Sequence, residues 1–261
     1  MYLIVFAVLF FVVSLVFSMF GLGGGLVYVP LLFLSGFPVK TASILSLFAI
    51  ALTSLTAFLT FLRSGRFDWK LAAVIDPPTD VMAFVGGYYA NLLDENVLRV
   101  VLVVVILVAG LLMVKQPKSF RGFKGGRFTW ERRFKDEVYT VNVPLVGLMT
   151  GLVGFFVGMV GVTGGVFKVP IMVLLCGVPM DIAVGTSSGM VFLTAIFGLA
   201  GHLTTAENYS FPFLVLIGLV CLVGGVLGAK FSLRVGRERL RVSYGILMFI
   251  LAVWVTLKSL F

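Results

Sequence analysis

The chain has 261 residues, 60% of them hydrophobic and only 12% charged, with a formal net charge of +9. Soluble domains are about 45–50% apolar and about 25% charged, so this composition exceeds what one soluble core needs and marks an integral membrane protein. In such a protein surplus Lys and Arg belong to cytoplasmic loops, which removes the nucleic-acid partner that the same charge would suggest in a soluble chain.

No Asp, Glu, Lys, Arg or His precedes Lys40. Met1 is followed directly by Tyr2 and Leu3, with no basic leader and no small-residue cleavage site, so the first segment reads as a retained span. Ten apolar segments follow one another, at about 2–20, 25–36, 40–62, 70–93, 97–114, 142–160, 164–176, 180–201, 211–232 and 241–260. Those at 25–36 and 164–176 hold about a dozen residues, roughly 18 Å of helix against a hydrocarbon core of ~30 Å, and are expected to be half-length or re-entrant. Cys176 and Cys221 lie in apolar stretches without metal-ligand spacing and read as packing residues.

The basic residues predict the orientation. Sixteen of the twenty fall at 63–70, 115–140 and 230–241. If all ten segments cross, these clusters share one side, and the positive-inside rule makes it the cytoplasm, with both termini outside. The stretch from Lys115 to Thr140 mixes eight basic and three acidic residues with Phe120, Phe123, Phe128 and Trp130, and reads as a basic cytoplasmic linker near anionic headgroups.

An internal repeat organises the rest. GLGGGLVYVPLL (Gly21–Leu32) matches GVTGGVFKVPIM (Gly161–Met172) at an offset of 140, and Gly36, Pro38, Ala42, Ser46 and Gly87 match Gly177, Pro179, Ala183, Ser187 and Gly228 one residue later. The expected fold is therefore an all-α integral membrane protein of about ten transmembrane segments. Residues 1–114 form a first membrane repeat, 115–140 the linker and 141–261 a second repeat. Five crossings per half invert the second half relative to the first, an architecture of many secondary transporters.

The paired glycine segments ending in Val-Pro, each followed by a Gly-x-Pro turn and a hydroxyl-bearing helix (Ala42, Ser43, Ser46; Ala183, Gly185, Thr186, Ser187), resemble the TauE/SafE sulfite exporter family over nearly the whole chain. The resemblance implies transport of small anions, foremost the export of sulfite, organosulfonates or related sulfur oxyanions. The first half departs from the usual pattern at Asp76 and Asp80.

On their own chemistry, Gly23, Gly24 and Gly25, with Gly164 and Gly165, open short helices whose free N–H groups and dipole suit an anion; close helix packing explains the same glycines. Lys168 stands where the first half has Tyr28, and both are candidates for substrate binding; Lys168 is either a counter-charge for substrate or a side chain snorkelling to the interface. Ser43, Ser46, Thr163, Thr186, Ser187 and Ser188 offer hydroxyl donors, or bond between helices and back to their own backbone. Asp76 and Asp80, four apart, share a helix face if the helix survives Pro77 and Pro78. They correspond to Ile217 and Cys221 in the repeat, and are read either as proton carriers at membrane depth or as caps on a proline break. His202, with Thr204, Thr205 and Glu207, reads as surface loop.

No catalytic motif, metal-ligand set or cofactor motif is present, so no enzyme, metal or cofactor is expected. The expected protein is an inner-membrane secondary transporter of small anions, with protons as a coupling ion and room for a homo-oligomer. An anion channel and a non-transporting scaffold working through the central loop are the alternatives.

Overall fold

The computed structural model describes residues 2–94, 96–98, 100, 101, 104, 128–202 and 211–259. Among these are nine helices and one β-hairpin. The first half contributes α1 (Tyr2–Ser18), α2 (Gly25–Leu34), α3 (Val39–Arg63) and α4 (Trp69–Leu92). The hairpin, β1 (Thr129–Phe134) and β2 (Glu137–Asn142), leads into α5 (Val143–Met159), α6 (Gly165–Pro170), α7 (Met180–His202), α8 (Phe211–Arg234) and α9 (Arg237–Ser259). A wider π-type turn, Ile171–Leu175, continues α6. The expected segment at 97–114 lies largely outside the described residues, as do 115–127 of the linker and Thr204, Thr205 and Glu207.

Val39–Arg63, Met180–His202 and Leu214–Arg234 are each long and apolar enough to cross a membrane, and several shorter apolar helices accompany them. Large apolar side chains such as Ile4, Val8, Leu148, Leu152, Leu219, Val223, Ile246 and Phe249 stand outward and exposed. In water a surface so rich in exposed apolar residues would drive association; in a bilayer it is the lipid-facing belt.

The halves interlock. The α4 helix packs against α5 and α7, α8 packs against α1 and α3, and α3 packs against α7. Small residues permit these approaches. A Cβ on Gly154 or Gly158 of α5 would strike the backbone of Thr79 or Ala83 in α4, and one on Gly224 or Gly228 of α8 would strike Ser14, Ser18 or Leu15 in α1. Ser18, equivalent to Gly158, donates to Gly224 O at 3.4 Å.

The short helices double back. The turn after α2 brings Phe37 to Phe6 near the start of α1, ring centroids 6.5 Å apart, and the turn after the π-type segment places Cys176 O 3.2 Å from Thr140 N, just before α5. Both expected half-length segments are thus observed as short helices of reversed direction. α4 runs unbroken through Pro77 and Pro78, so the reading of Asp76 and Asp80 as caps on a break is corrected.

Residues 129–140, read from the sequence as part of the linker, form a docked antiparallel hairpin together with Val141 and Asn142. Lys135, at φ 54, makes the turn with Asp136, and Trp130, Arg132 and Phe134 pair with Val141, Tyr139 and Glu137 on one face. Tyr139 and Val141 are fully enclosed, while Glu131, Arg133 and Val138 point away.

Candidate functional site

The centre of the molecule is built from the two glycine segments. Gly25 opens α2 and Gly165 opens α6, so the first N–H groups of each helix, at Gly25 and Leu26 and at Gly165 and Val166, have no partner within their helix. The two openings touch. A Cβ at Gly25 would lie 3.2 Å from Val162 Cα and 3.3 Å from Thr163 N, and one at Gly165 would lie 3.2 Å from Leu22 Cα and O. Further contacts recur at positions related by the repeat: Gly21 closes on Val184 O, and Gly161 (φ +70) closes on the Ser43 backbone. From this shared start α2 and α6 run to opposite ends.

One turn into α6 lies the only buried Lys among the described residues. Lys168 is 1% exposed, Asp76 2% and Asp80 6%. The Lys168 ammonium donates to Asp76 Oδ1, to Thr194 Oγ1 at 2.6 Å and to Met190 O at 3.4 Å, which uses its three donors. Thr194 in turn donates to Asp80 Oδ1 at 2.7 Å. Asp76 Oδ2 is buried without a hydrogen-bond partner. The cluster joins α4, α6 and α7, with one ammonium facing two carboxylates. Lys168 points inward to Asp76, so the snorkelling reading is set aside.

The corresponding place in the other half is uncharged. Tyr28 stacks on Phe10 at 4.6 Å, donates to Phe10 O at 3.3 Å and lies 3.8 Å from Cys221 Sγ. Tyr28 and Cys221 are the repeat counterparts of Lys168 and Asp80, and Thr53 that of Thr194. The same positions therefore meet in each half, as a charged cluster in one and a neutral one in the other.

The hydroxyl residues divide. Ser43 Oγ donates to Val39 O at 2.8 Å, Ser187 Oγ to Gly21 O at 2.9 Å and Ser188 Oγ to Gly185 O at 2.6 Å, while Thr186 Oγ1 accepts from Asp68 N at 3.1 Å. These four hydroxyls are engaged within the protein. Ser46, Thr79 and Thr163 keep buried hydroxyls with no partner, and the Thr79 methyl lies 3.5 Å from where a Gly164 Cβ would stand. Sequence reasoning missed Thr79 and Thr194; the 141-residue register between Thr53 and Thr194 is the signal that points to the second.

His202, expected in a surface loop, is the buried last residue of α7, with its Nε2 2.9 Å from Gly158 O; that reading is corrected. No group of three or more His, Cys, Asp or Glu able to hold a metal occurs among the described residues.

At the end where α3 and α8 finish, the hairpin is clamped onto the bundle. Asp68 caps α4 through Lys70 N and Leu71 N and accepts Arg132 Nε at 2.9 Å, Arg132 Nη2 at 3.0 Å and the Tyr139 hydroxyl. Burial alone would raise its pKa, but the Arg132, Tyr139 and Leu71 bonds outweigh it and hold the carboxyl below the usual range. Arg237 links Glu137 of the hairpin at 2.5 Å to Asp181 of α7 at 2.8 Å, and Arg66 approaches Asp181 at 4.0 Å. Residues from all three basic clusters thus converge at one end.

A lipid-facing helical bundle around a buried, charge-bearing centre flanked by two broken helices is a membrane transport protein in build. Residues 6–255 match the family described as sulfite exporter TauE/SafE, and the chain belongs to that family of membrane transporters. It is 29% identical over 246 residues to the probable membrane transporter protein YunE of Bacillus subtilis, covering 88% of each chain. A probable membrane transporter protein of Methanocaldococcus jannaschii is 26% identical over 89% of this chain and 87% of its own, and YfcA of Escherichia coli, also a probable membrane transporter protein, 27% over 81% and 72%. These relatives are named as transporters, not enzymes. No solved structure matches the chain.

Proposed function

We propose that the chain is a proton-coupled secondary transporter of small anions, chiefly an exporter of sulfite or an organosulfonate, built as two inverted five-helix repeats in the inner membrane. The observation that carries this reading is the abutting of the two glycine-opened helix starts beside the Lys168–Asp76–Thr194–Asp80 cluster. Two helix N-termini and the unpaired hydroxyls of Ser46, Thr79 and Thr163 are donors suited to an oxyanion, which neutral donors bind weakly enough to release.

Gly25 and Gly165 pack against the facing segment, so an anion enters only when the two segments part, which is the movement alternating access requires. Lys168 is spent on Asp76. A proton on Asp76, for which Oδ2 is the open position, weakens that pair and frees the ammonium for the anion; loss of the proton recaptures Lys168 and expels the cargo. Tyr28, in the neutral counterpart, serves as the packed pivot of its half. The convergence of the basic clusters supports one cytoplasmic face carrying the central loop, with both termini outside.

Proteoliposomes loaded with sulfite, thiosulfate, sulfoacetate or a carboxylate control test this directly. Saturable, counterflowing efflux of a sulfur oxyanion is expected; flux that is absent for all of them, or unchanged in Lys168→Ala, overturns the site.

A further inference from the structure

A second cationic site lies away from the central cluster. Between the final turns of α3 and α8 a cavity of about 450 Å³ is lined by Thr56, Thr60, Arg63, Ser64 and Lys230, with Leu59 among its apolar residues. Arg66, Arg132 and Arg237 at this end are taken up by Asp181, Asp68 and Glu137, whereas Arg63 and Lys230 make no ion pair among the described residues. The hydroxyls of Thr56, Thr60 and Ser64 spend their protons on helix carbonyls, at 3.0 Å to Thr53 O, 2.8 Å to Thr56 O and 2.8 Å to Phe61 O. Their oxygens remain acceptors. The cavity thus offers cationic donors to a phosphate and neutral acceptors to hydroxyls. It repels the terminal cation of a zwitterionic headgroup. Leu59, 39% exposed, Val226 and Leu233 form its apolar rim.

We propose that this cavity binds an anionic phospholipid with a hydroxylated headgroup of the phosphatidylglycerol type. Its phosphate lies between Arg63 and Lys230, its headgroup hydroxyls donate to Thr60 and Ser64, and its acyl chains follow the apolar rim. Basic pockets between membrane helices on the cytoplasmic side recognise phospholipid headgroups in this manner. The site bridges α3 of one half and α8 of the other, so the lipid ties together two helices that pack across the repeat boundary.

The test is native mass spectrometry of the full chain in detergent, titrated with phosphatidylglycerol, phosphatidylcholine or sn-glycerol 3-phosphate. Phosphatidylglycerol adducts are expected to dominate over phosphatidylcholine at equal concentration. In R63Q/K230Q they weaken about 25-fold, roughly fivefold for each cation. The charge-retaining R63K/K230R variant keeps them, and Lys230→Gln alone, usable if the double variant does not fold, weakens them about fivefold. Equal binding of phosphatidylcholine, competition by glycerol 3-phosphate as strong as by the lipid, or undiminished adducts in the Gln variants overturns the proposal.

Discussion

Replacing Lys168 by Met separates a functional charge cluster from a merely tolerated one. In the native protein one ammonium serves two carboxylates, Asp76 directly and Asp80 through Thr194, and all are enclosed. Removing the ammonium leaves two unpaired carboxylates one helical turn apart, and loss of one partner of a buried pair costs about 3–5 kcal/mol. Asp76→Asn is milder. Its amide oxygen still accepts from Lys168, and Asp80 then balances the ammonium one to one, so the cost falls to about 1–2 kcal/mol, near that of a single weakened hydrogen bond to a charged group. Combining the two leaves only Asp80 beside Thr194, and the double variant should be more stable than Lys168→Met alone. Thermal unfolding in one detergent, read by tryptophan fluorescence, gives the order native, Asp76→Asn, double variant, Lys168→Met. Equal losses for Lys168→Met and Asp76→Asn, or a double variant at the sum of the two, would refute a cluster in which one cation compensates two acids.

Gly161→Ala combines a left-handed backbone with a collision against the Ser43 backbone and should cost more than about 3 kcal/mol, whereas Gly36→Ala, at φ +92 in open space, should cost about 1 kcal/mol; expression level and melting temperature in detergent distinguish them. Arg132→Gln should free the hairpin at a cost of about 1–3 kcal/mol, seen as faster amide exchange over 129–142 with the bundle intact. Because the Asp68 carboxyl is held below its unfolded value near 4, the clamp is intact above about pH 5 and fades as pH falls below about 4, so native hairpin protection should drop in that window and remain flat in Asp68→Asn. Tyr28→Phe keeps the stack on Phe10 and loses one hydrogen bond, so about 1 kcal/mol of stability should go while the pH profile of transport stays unchanged.

A feature is legible in the sequence where its signal lies in a short run of residues or recurs in the repeat. Charge-free runs of apolar residues and the two glycine segments are such signals, and they point to a membrane bundle with two short helices at its centre. The spacing puts Asp76 and Asp80 on one helix face, but the partner of Asp76, Lys168, is 92 positions away along the chain, a pairing created by the packing of α4 against α5 and α7. The burial of His202 likewise comes from Gly158 of α5, which no property of the residues around position 202 announces. The hairpin could have been seen: TWERRF and EVYTVN alternate inward and outward residues with a period of two around Lys135-Asp136. The density of basic residues hid it, because Arg132 and Arg237 read as surface charge until Asp68, Glu137 and Asp181 are seen against them.

In the proposed mechanism a proton on Asp76 is coupled to anion movement through Lys168. The most direct test is solid-supported-membrane electrophysiology of reconstituted protein, with sulfite concentration jumps applied across a pH series to the native chain and to Asp76→Asn. The native currents should vary with pH and with an imposed proton gradient, and those of a folded Asp76→Asn should lose that dependence. Currents with the same pH profile in both proteins would contradict the coupling.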